Sequence, residues 1–544
     1  MCIRDRFSAK VEFKNYEDED YSAFDEDEDE DIEDAREEYT NEELNNAATA
    51  LDKSSAPDDI MIFIRMLRDA SRVSAEFAAN IVIGNGVLNR TQLNRLIKAS
   101  QEELYEDMSR KLGEYVLRAR FNDGQHLAVL QNDVPYVFNK THWQVAGENF
   151  LKRLTIESFD KKRNKIAGEA TVNEATVVNQ AFQLMKMRRA FNDLRIINDK
   201  QKLSVINCLN GELWINSKDG SYDLKPHNPK SYLTSVLPIE YESKAKAPLW
   251  KRTLLEIFDG DKDMVRHVLE MLGYLLQPNK NIAAWWLLRG PGGDGKSTIL
   301  EILGALLGGA ILQAPFSTLS LGSSVYGNNH ATESLVGKLV VAVEEIPVNR
   351  RLPEVGLKRL SERTTMEANP KGKSAYNFEY VGGLVMCTNH WPSVDDTSEG
   401  MKRRANVIPF SREFVRNGEA DLERAAEIIE NELPGVLLSC LKGLERLRKR
   451  GRFQTPEKCL QATAEWFDKS NSVNSWFGTY CKFKEGKRMR LKEVYDEYTY
   501  YCQLEGIDPE RRKDFKEKLL NLKVSLRTSG TDIYTNGIVV KKLS

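Results

Sequence analysis

A chain of 544 residues suggests roughly three or four domains, and 41% hydrophobic with 29% charged residues is a composition that builds real cores. No apolar stretch approaches the ~18 residues of a membrane span, and the opening "MCIRDRFSAK" has no apolar core for a signal peptide; a cytoplasmic protein with no membrane partner is expected. The net charge of −3 joins two unlike parts: residues 17–38 carry fifteen acids against one arginine, or −14, which leaves +11 on the remainder.

An acidic flank on a basic body suits a nucleic-acid partner, and residues 1–40 read as a disordered acidic tail. The seven cysteines are scattered without a CxxC pair, which argues for a reducing compartment and against structural zinc. From "NEELNNAATALDK" to "LYEDMSRKLGEYVLRARF" helical spacing dominates. A short β-rich patch, "HLAVLQNDVPYVFNKTHWQV", interrupts it before "ATVVNQAFQLMKMRRAFNDL" turns helical again. The stretch "INCLNGELWINSKDGSYDLKPHNPKSYLTSVLPIEY" alternates apolar and polar residues around Asn-Gly and Asp-Gly turns, as strands do. We read 41–250 as a mainly helical α+β N-terminal region.

Residues 251–450 open on a helical lead-in, and from 282 to 410 strands and helices alternate, the pattern of an α/β core. Its first strand runs into "RGPGGDGKST". Gly290, Pro291, Gly292, Gly293, Asp294, Gly295, Lys296, Ser297 and Thr298 complete a GxxxxGK[ST] phosphate-binding loop. Glycines let successive N–H groups converge on phosphate oxygens, Lys296 would reach the β and γ phosphates of ATP, and Ser297 would ligate Mg²⁺. The apolar run Leu339 to Val343 then ends in Glu344 and Glu345. An acid pair at a strand end is common on any surface. Downstream of such a loop, Glu344 can hold the Mg²⁺ shell and Glu345 can orient or deprotonate the attacking water. A third strand, "GGLVMCTNHWP", ends on Asn389, whose amide can sense γ-phosphate and water without adding charge.

Between these strands, "RTTMEANPKGKSAYNFEY" reads as a β-hairpin whose tip carries Lys371 and Lys373. Such a tip is either a plain exposed turn or a contact to a nucleic-acid backbone. Arg403 and Arg404 precede the next apolar strand. One of them could enter a neighbouring subunit's site and neutralise the transition state. Residues 451–544 finish with a helix, a basic helix and two glycine-turned strands, the order of a winged-helix module that contacts DNA or protein.

The ordered motifs resemble superfamily 3 helicases, and most of all the phage and plasmid primase–helicases that share a domain with the poxvirus replication ATPase. The likeness extends from "NGELWIN" through "LVGKLVVAVEE", "LKRLSERTTMEANPKGKSAYNF" and "TNHWPSVDDTSEGMKRRANVIPF" to "TPEKCLQATAEWFDKSNSVNSWF", roughly residues 100 to 540. It implies an α/β fold with a P-loop NTPase core of the AAA+ type, an α+β N-terminal region and a C-terminal winged-helix domain. It implies an ATP- and Mg²⁺-dependent hexameric ring that translocates on single-stranded and forked DNA, typically 3′ to 5′, beside a separate primase or polymerase. By that resemblance Lys296 and Ser297 are the loop's lysine and hydroxyl, Glu344 and Glu345 its acids and Asn389 its sensor. The arginine finger falls on Arg403 or Arg404, spacing favouring Arg404, and the hairpin lysine on Lys371 or Lys373. Two positions depart from the family pattern: Ser361-Glu362-Arg363-Thr364 replaces a Gly-Asp before the hairpin, and Asp294 stands where Asn is frequent. With fewer than 100 residues ahead of the likeness, primer synthesis is not expected. An origin- or partner-binding ATPase switch is the alternative, and a small-molecule kinase has no use for the sensor, the arginines or the hairpin.

Overall fold

The computed structural model describes residues 39–129, 134–167, 172–189, 204–278, 280–320, 332–348, 350–369, 375–394, 396, 398–414, 417–418, 421–470, 472–505 and 509–541. The acidic segment 17–38 and the hairpin-tip residues Lys371 and Lys373 lie outside them. Two compact units share the chain: residues 1–139 with 144–193, and residues 140–143 with 194–544.

In the first unit, helices start where the sequence supplies caps. Thr40 and Glu43 form a reciprocal capping box for α1 (Asn41–Ala50), Pro57 opens α2 (Pro57–Asp69), and Ser71 caps α3 (Arg72–Gly84). Asn89 and Gln92 box the start of α4 (Arg90–Phe121). Leu104, Met108, Leu112 and Val116 recur every fourth residue along α4 and are buried. They meet Phe159 of α5 (Glu148–Ile166) and Phe182 of α6 (Glu174–Arg188) in one core. Between α4 and α5 lie three short strands, β1 (Leu127–Val129), β2 (Pro135–Phe138) and β3 (Trp143–Val145), ordered β1-β2-β3.

The second unit begins with an antiparallel sheet, β4 (Val205–Cys208), β5 (Gly211–Ile215) and β6 (Tyr222–Lys225). The boundary expected at residue 250 falls inside this unit. Ile206, Leu213 and Ile215 share one core with Trp250 of α7 (Pro248–Ile257) and Met271 of α8 (Lys262–Leu275), so a cut there would expose apolar surface on both sides. Centrally, five parallel strands order as β13-β7-β12-β9-β8. They are β7 (Trp285–Arg289), β8 (Ile311–Gln313), β9 (Val340–Val343), β12 (Gly383–Thr388) and β13 (Ala405–Pro409); β10 (Thr364–Ala368) and β11 (Tyr376–Tyr380) pair separately as a hairpin. The runs WWLL, VVAV and GLVMCT are buried throughout, as strands covered on both faces require. Helix α9 (Lys296–Leu307) follows β7, α10 (Glu354–Ser361) and α11 (Glu399–Arg404) lie further along, and α12 (Arg424–Arg450) packs on α8. The last two helices approach closely at Gly273 and Gly443. A Cβ on the first would sit 2.2 Å from the Cys440 carbonyl, and on the second 2.3 Å from that of Leu269.

The C-terminal part joins α13 (Glu457–Ser470) to β13 and puts Trp466 edge-on to Trp285 at 5.5 Å. Its remaining elements run α14 (Ser472–Tyr480), β14 (Cys481–Arg490), α15 (Leu491–Glu505), α16 (Arg512–Asn521), β15 (Ser525–Ser529) and β16 (Asp532–Val540). The three strands form an antiparallel sheet ordered β14-β16-β15 over a core of Trp476, Tyr498 and Phe515. Both expected helices and both expected strands are present; β14 is an element that the sequence reading did not include. Among the described residues no helix is long and apolar enough to cross a membrane.

Candidate functional site

Parallel pairing places every strand end of the central sheet at one edge. β12 lies between β7 and β9, with Thr388 opposite Arg289 and Met386 opposite Val343. The loop after β7, Glu344-Glu345 after β9 and Asn389 after β12 therefore emerge side by side, although far apart in sequence. This carboxyl edge is where open parallel sheets hold ligands.

The loop is shaped by its glycines. Gly292, Gly293 and Gly295 have φ of 107°, 60° and 94°, in the region where a Cβ is costly. A Cβ on Gly290 would lie 2.0 Å from the Asp294 Oδ2, and one on Gly295 would lie 2.6 Å from Ile257 Cγ1. The Gly290 N–H donates to the Thr388 carbonyl at 3.2 Å, and the Phe414 N–H donates to that of Gly293 at 2.9 Å. These bonds tie the loop to the end of β12 and to the segment after β13.

Helix α9 starts on Gly295, which has no side chain to cap it. The carboxylate of Asp294 fills that role from inside the loop. It accepts from the Gly292 N–H at 3.3 Å and the Lys296 N–H at 3.4 Å, and it pairs with Lys296 Nζ at 2.5 Å. Lys296 Nζ also donates to the Gly290 carbonyl at 2.9 Å. Both residues are buried, whereas Pro291 and Ser297 are exposed and Thr298 is half-buried. The loop thus already wraps an anion with its backbone donors and its lysine.

Glu344, Glu345 and Asn389 are exposed at the same edge. The position a Cβ would take on Gly292 is 4.0 Å from Asn389 Nδ2. Beneath them, burial pushes the Cys387 thiol up to about 12; Lys296 pulls it down, and Asp294 and Glu344 push it further up. One thiol therefore feels charges from the loop and the acid strand together.

Arg403 and Arg404 close α11 and lead into β13, whose first residue, Ala405, pairs with Trp285, the first residue of β7. They stand at the opposite edge of the sheet from the loop, roughly 13 Å away along five strand residues. Arg403 is exposed. Arg404 is half-buried and ion-paired with Glu362, and its Nη1 donates to the Gly400 carbonyl at 2.5 Å. Neither the Asp294–Lys296 pair nor the Arg404–Glu362 pair was foreseen, because both depend on where loops fold back. The departures at Asp294 and at residues 361–364 were the only sequence signals near them.

Fold and edge together define a mixed α/β protein with an anion-cradling glycine loop on a five-stranded parallel sheet. Residues 114–259 match a family profile described as D5 N terminal like, and residues 288–404 match a family of unknown function, DUF5906. The second match spans every candidate residue from Gly290 to Arg404. A protein of Acanthamoeba polyphaga mimivirus named as a putative helicase is 21% identical over 437 residues, which cover 72% of this chain and 45% of that protein. This chain therefore spans about half the length of the curated relative it matches. Among solved structures, one form of the apo NrS-1 C terminal region is similar over 76% of this chain and 95% of its own, at 15% identity and a TM-score of 0.41; another is similar over 79% and 100%, at 13% and 0.41. The D5-type segment and the helicase-named mimivirus relative support a likeness to phage and viral primase–helicases.

Proposed function

We propose that this chain is an ATP-dependent DNA helicase of phage or viral replication, working as a homo-oligomeric ring on single-stranded and forked DNA. The observation that carries the reading is the split across the sheet. Loop, acids and Asn389 share one edge, and the two arginines stand at the other, so Arg403 can serve a nucleotide only in a neighbouring copy. We read the loop as a P-loop, the core as AAA+-like and the C-terminal helices and sheet as a winged helix. The helicase-named relative and the D5-type segment support the replication role.

The cradle suits a nucleotide phosphate because the same donors already hold a carboxylate. Lys296 would exchange Asp294 for phosphate oxygens. Ser297 and Glu344 would hold Mg²⁺, which when bound neutralises charge on the transferred phosphoryl group. Glu345 would take the proton of the attacking water, and Asn389, beside Gly292, would hydrogen-bond the water and the terminal phosphate. Arg403, exposed and without an ion pair among the described residues, is the residue placed to reach across a subunit boundary. Lys371 and Lys373 at the hairpin tip remain the proposed contacts to single-stranded DNA in the ring.

ATP turnover with and without forked DNA, measured beside strand displacement, tests the proposal. The expected result is DNA-stimulated turnover, displacement of the strand, and loss of both in Lys296→Ala. Turnover without displacement would favour an origin- or partner-binding switch instead.

A further inference from the structure

Outside the sheet edge, β14 carries a dense run of exposed positive charge. Residues 481–490, "CKFKEGKRMR", hold five cations and one acid, and all but Cys481 and Met489 are exposed. None of the five makes an ion pair among the described residues. β14 is an edge strand whose pairing with β16 shifts between Phe483 and Arg488, so that residues 484–487 bulge outward opposite Gly537. Gly486 and Gly537, with φ of 75° and 78°, make that bulge possible. It thrusts Lys484 and Lys487 beyond the strand line.

Register fixes what lies beside it. Arg490 and Arg527 both face Tyr534 from opposite sides, and Arg488 pairs with Asn536. Thr535 is fully buried, so its neighbours Tyr534 and Asn536 point outward, and the three arginines share that outer face. The Arg488 guanidinium stacks 3.8 Å from the Tyr534 ring centre, a cation–π contact that fixes the charge in place. Helix α16, the one a winged-helix reading would send into a groove, is tied elsewhere. Arg351, in the loop after β9, pairs with Glu510 and, at 3.5 Å, with Asp514; Lys518 holds Glu510 at 2.6 Å.

We infer that the outer face of the β14-β16-β15 sheet, with Arg488, Arg490 and Arg527 around Tyr534 and the lysines of the β14 bulge beside them, binds the phosphate backbone of duplex DNA. This rests on the DNA-helicase reading of the ATPase core. The occupant is a polyanion because the five cations of β14 and Arg527 outweigh the acids beside them, Glu485, Glu493 and Asp532. It is duplex because the Tyr534 ring is already covered by Arg488, which leaves charge but no platform for stacking single-stranded bases. Such a face grips the unopened arm ahead of the ring, without regard to sequence.

The test is fluorescence anisotropy of labelled duplex, single-stranded and forked DNA with the full chain across a salt series. R488E/R490E is compared with the wild type, K484E/K487E probes the bulge, and R512E/K513E controls for α16. We expect R488E/R490E to weaken duplex binding by about 10-fold or more and to lower the salt slope by about 2. Single-strand affinity and DNA-independent ATP turnover should stay within about twofold, as should duplex binding by the α16 control. Arg490→Gln with Arg527→Gln, a milder pair, should move duplex affinity the same way if the reversal variant does not fold. If wild type binds and unwinds forked DNA while the sheet variants bind duplex as wild type does, the sheet site is wrong and the helicase reading stands. A parallel loss on single strands rejects duplex as the occupant. If wild type binds no DNA at all, both fall.

Discussion

Arg404, the last residue of α11, is ion-paired with Glu362, which sits two residues before the first strand of the β10–β11 hairpin. The side chain that spacing favoured as the trans-acting arginine is therefore engaged within its own subunit, and its neighbour Arg403 is the exposed one. The two arginines should divide their roles. Arg403→Ala is expected to lower turnover by about 10³-fold or more while leaving nucleotide affinity within about twofold. Arg404→Ala is expected to cost about 1–2 kcal/mol of stability by stranding a partly buried carboxylate. Turnover, nucleotide titration and chemical denaturation of the two variants check this; the roles are exchanged if Arg404→Ala alone stops turnover at full stability.

Asp294 occupies the donors that a phosphate would need. Its carboxylate is buried against Lys296 at 2.5 Å and accepts from two loop N–H groups. Asp294→Asn keeps an acceptor for the lysine and removes the negative charge that competes with phosphate. Nucleotide affinity is expected to rise by about 10-fold, or about 1.4 kcal/mol, while the nucleotide-free protein loses stability. A titration with a fluorescent ATP analogue, paired with thermal unfolding, reads both. Weaker nucleotide binding by Asp294→Asn would show that the carboxylate assists the phosphate rather than displacing it.

That the loop, the acids and Asn389 share one edge was legible before any fold was known, and for definite reasons. The loop, the acids and Asn389 each follow an apolar run long enough to be a buried parallel strand, and parallel strands bring their ends to one edge whatever their order. What the sequence withheld was contact that depends on order and on loop path. That β12 lies between β7 and β9, putting Asn389 over Gly292, is a matter of topology. The Arg404–Glu362 pair spans residues with no periodic relation. β14 was missed because "CKFKEGKRMR" has few apolar residues to alternate, and it pairs along an edge where one side stays in water. The boundary at 250 followed the change from strand alternation to helical spacing, whereas Ile206 and Leu213 are bound by packing into the core around the central sheet.

Gly295 shows how tightly the loop is built into the helix behind it. With φ of 94°, it admits a Cβ only at the cost of backbone strain, and that Cβ would lie 2.6 Å from Ile257 Cγ1 and 2.7 Å from Cδ1. Gly295→Ala should therefore lose nucleotide binding and also destabilise the chain by about 1–3 kcal/mol. Ile257→Ala in the Gly295→Ala background opens the space but leaves the strain. It should recover part of the stability and less of the binding. Full recovery of nucleotide affinity in the double variant would mean that space, not backbone conformation, sets the loop.

His267 is expected to make the core around the central sheet sensitive to acid. It is fully buried on α8, edge-on to Phe453 at 6.1 Å, one turn from Glu270, which pairs with Arg450 at 2.5 Å and Arg446 at 3.7 Å. Burial pushes its pKa down to about 4, and the Arg450 charge adds in the same direction. Unfolded, the imidazole would titrate near its ordinary value of about 6.5. Between those two values the unfolded chain holds the extra proton, so stability is complete above about pH 6.5 and declines as pH falls towards 4. The full loss from this one group is about 3 kcal/mol. Urea unfolding at pH 7.5 and pH 5 should show the decline in wild type and a smaller one in His267→Leu, whatever that variant's stability at neutral pH. An equal pH dependence in the two proteins would assign the acid sensitivity to the carboxylates instead.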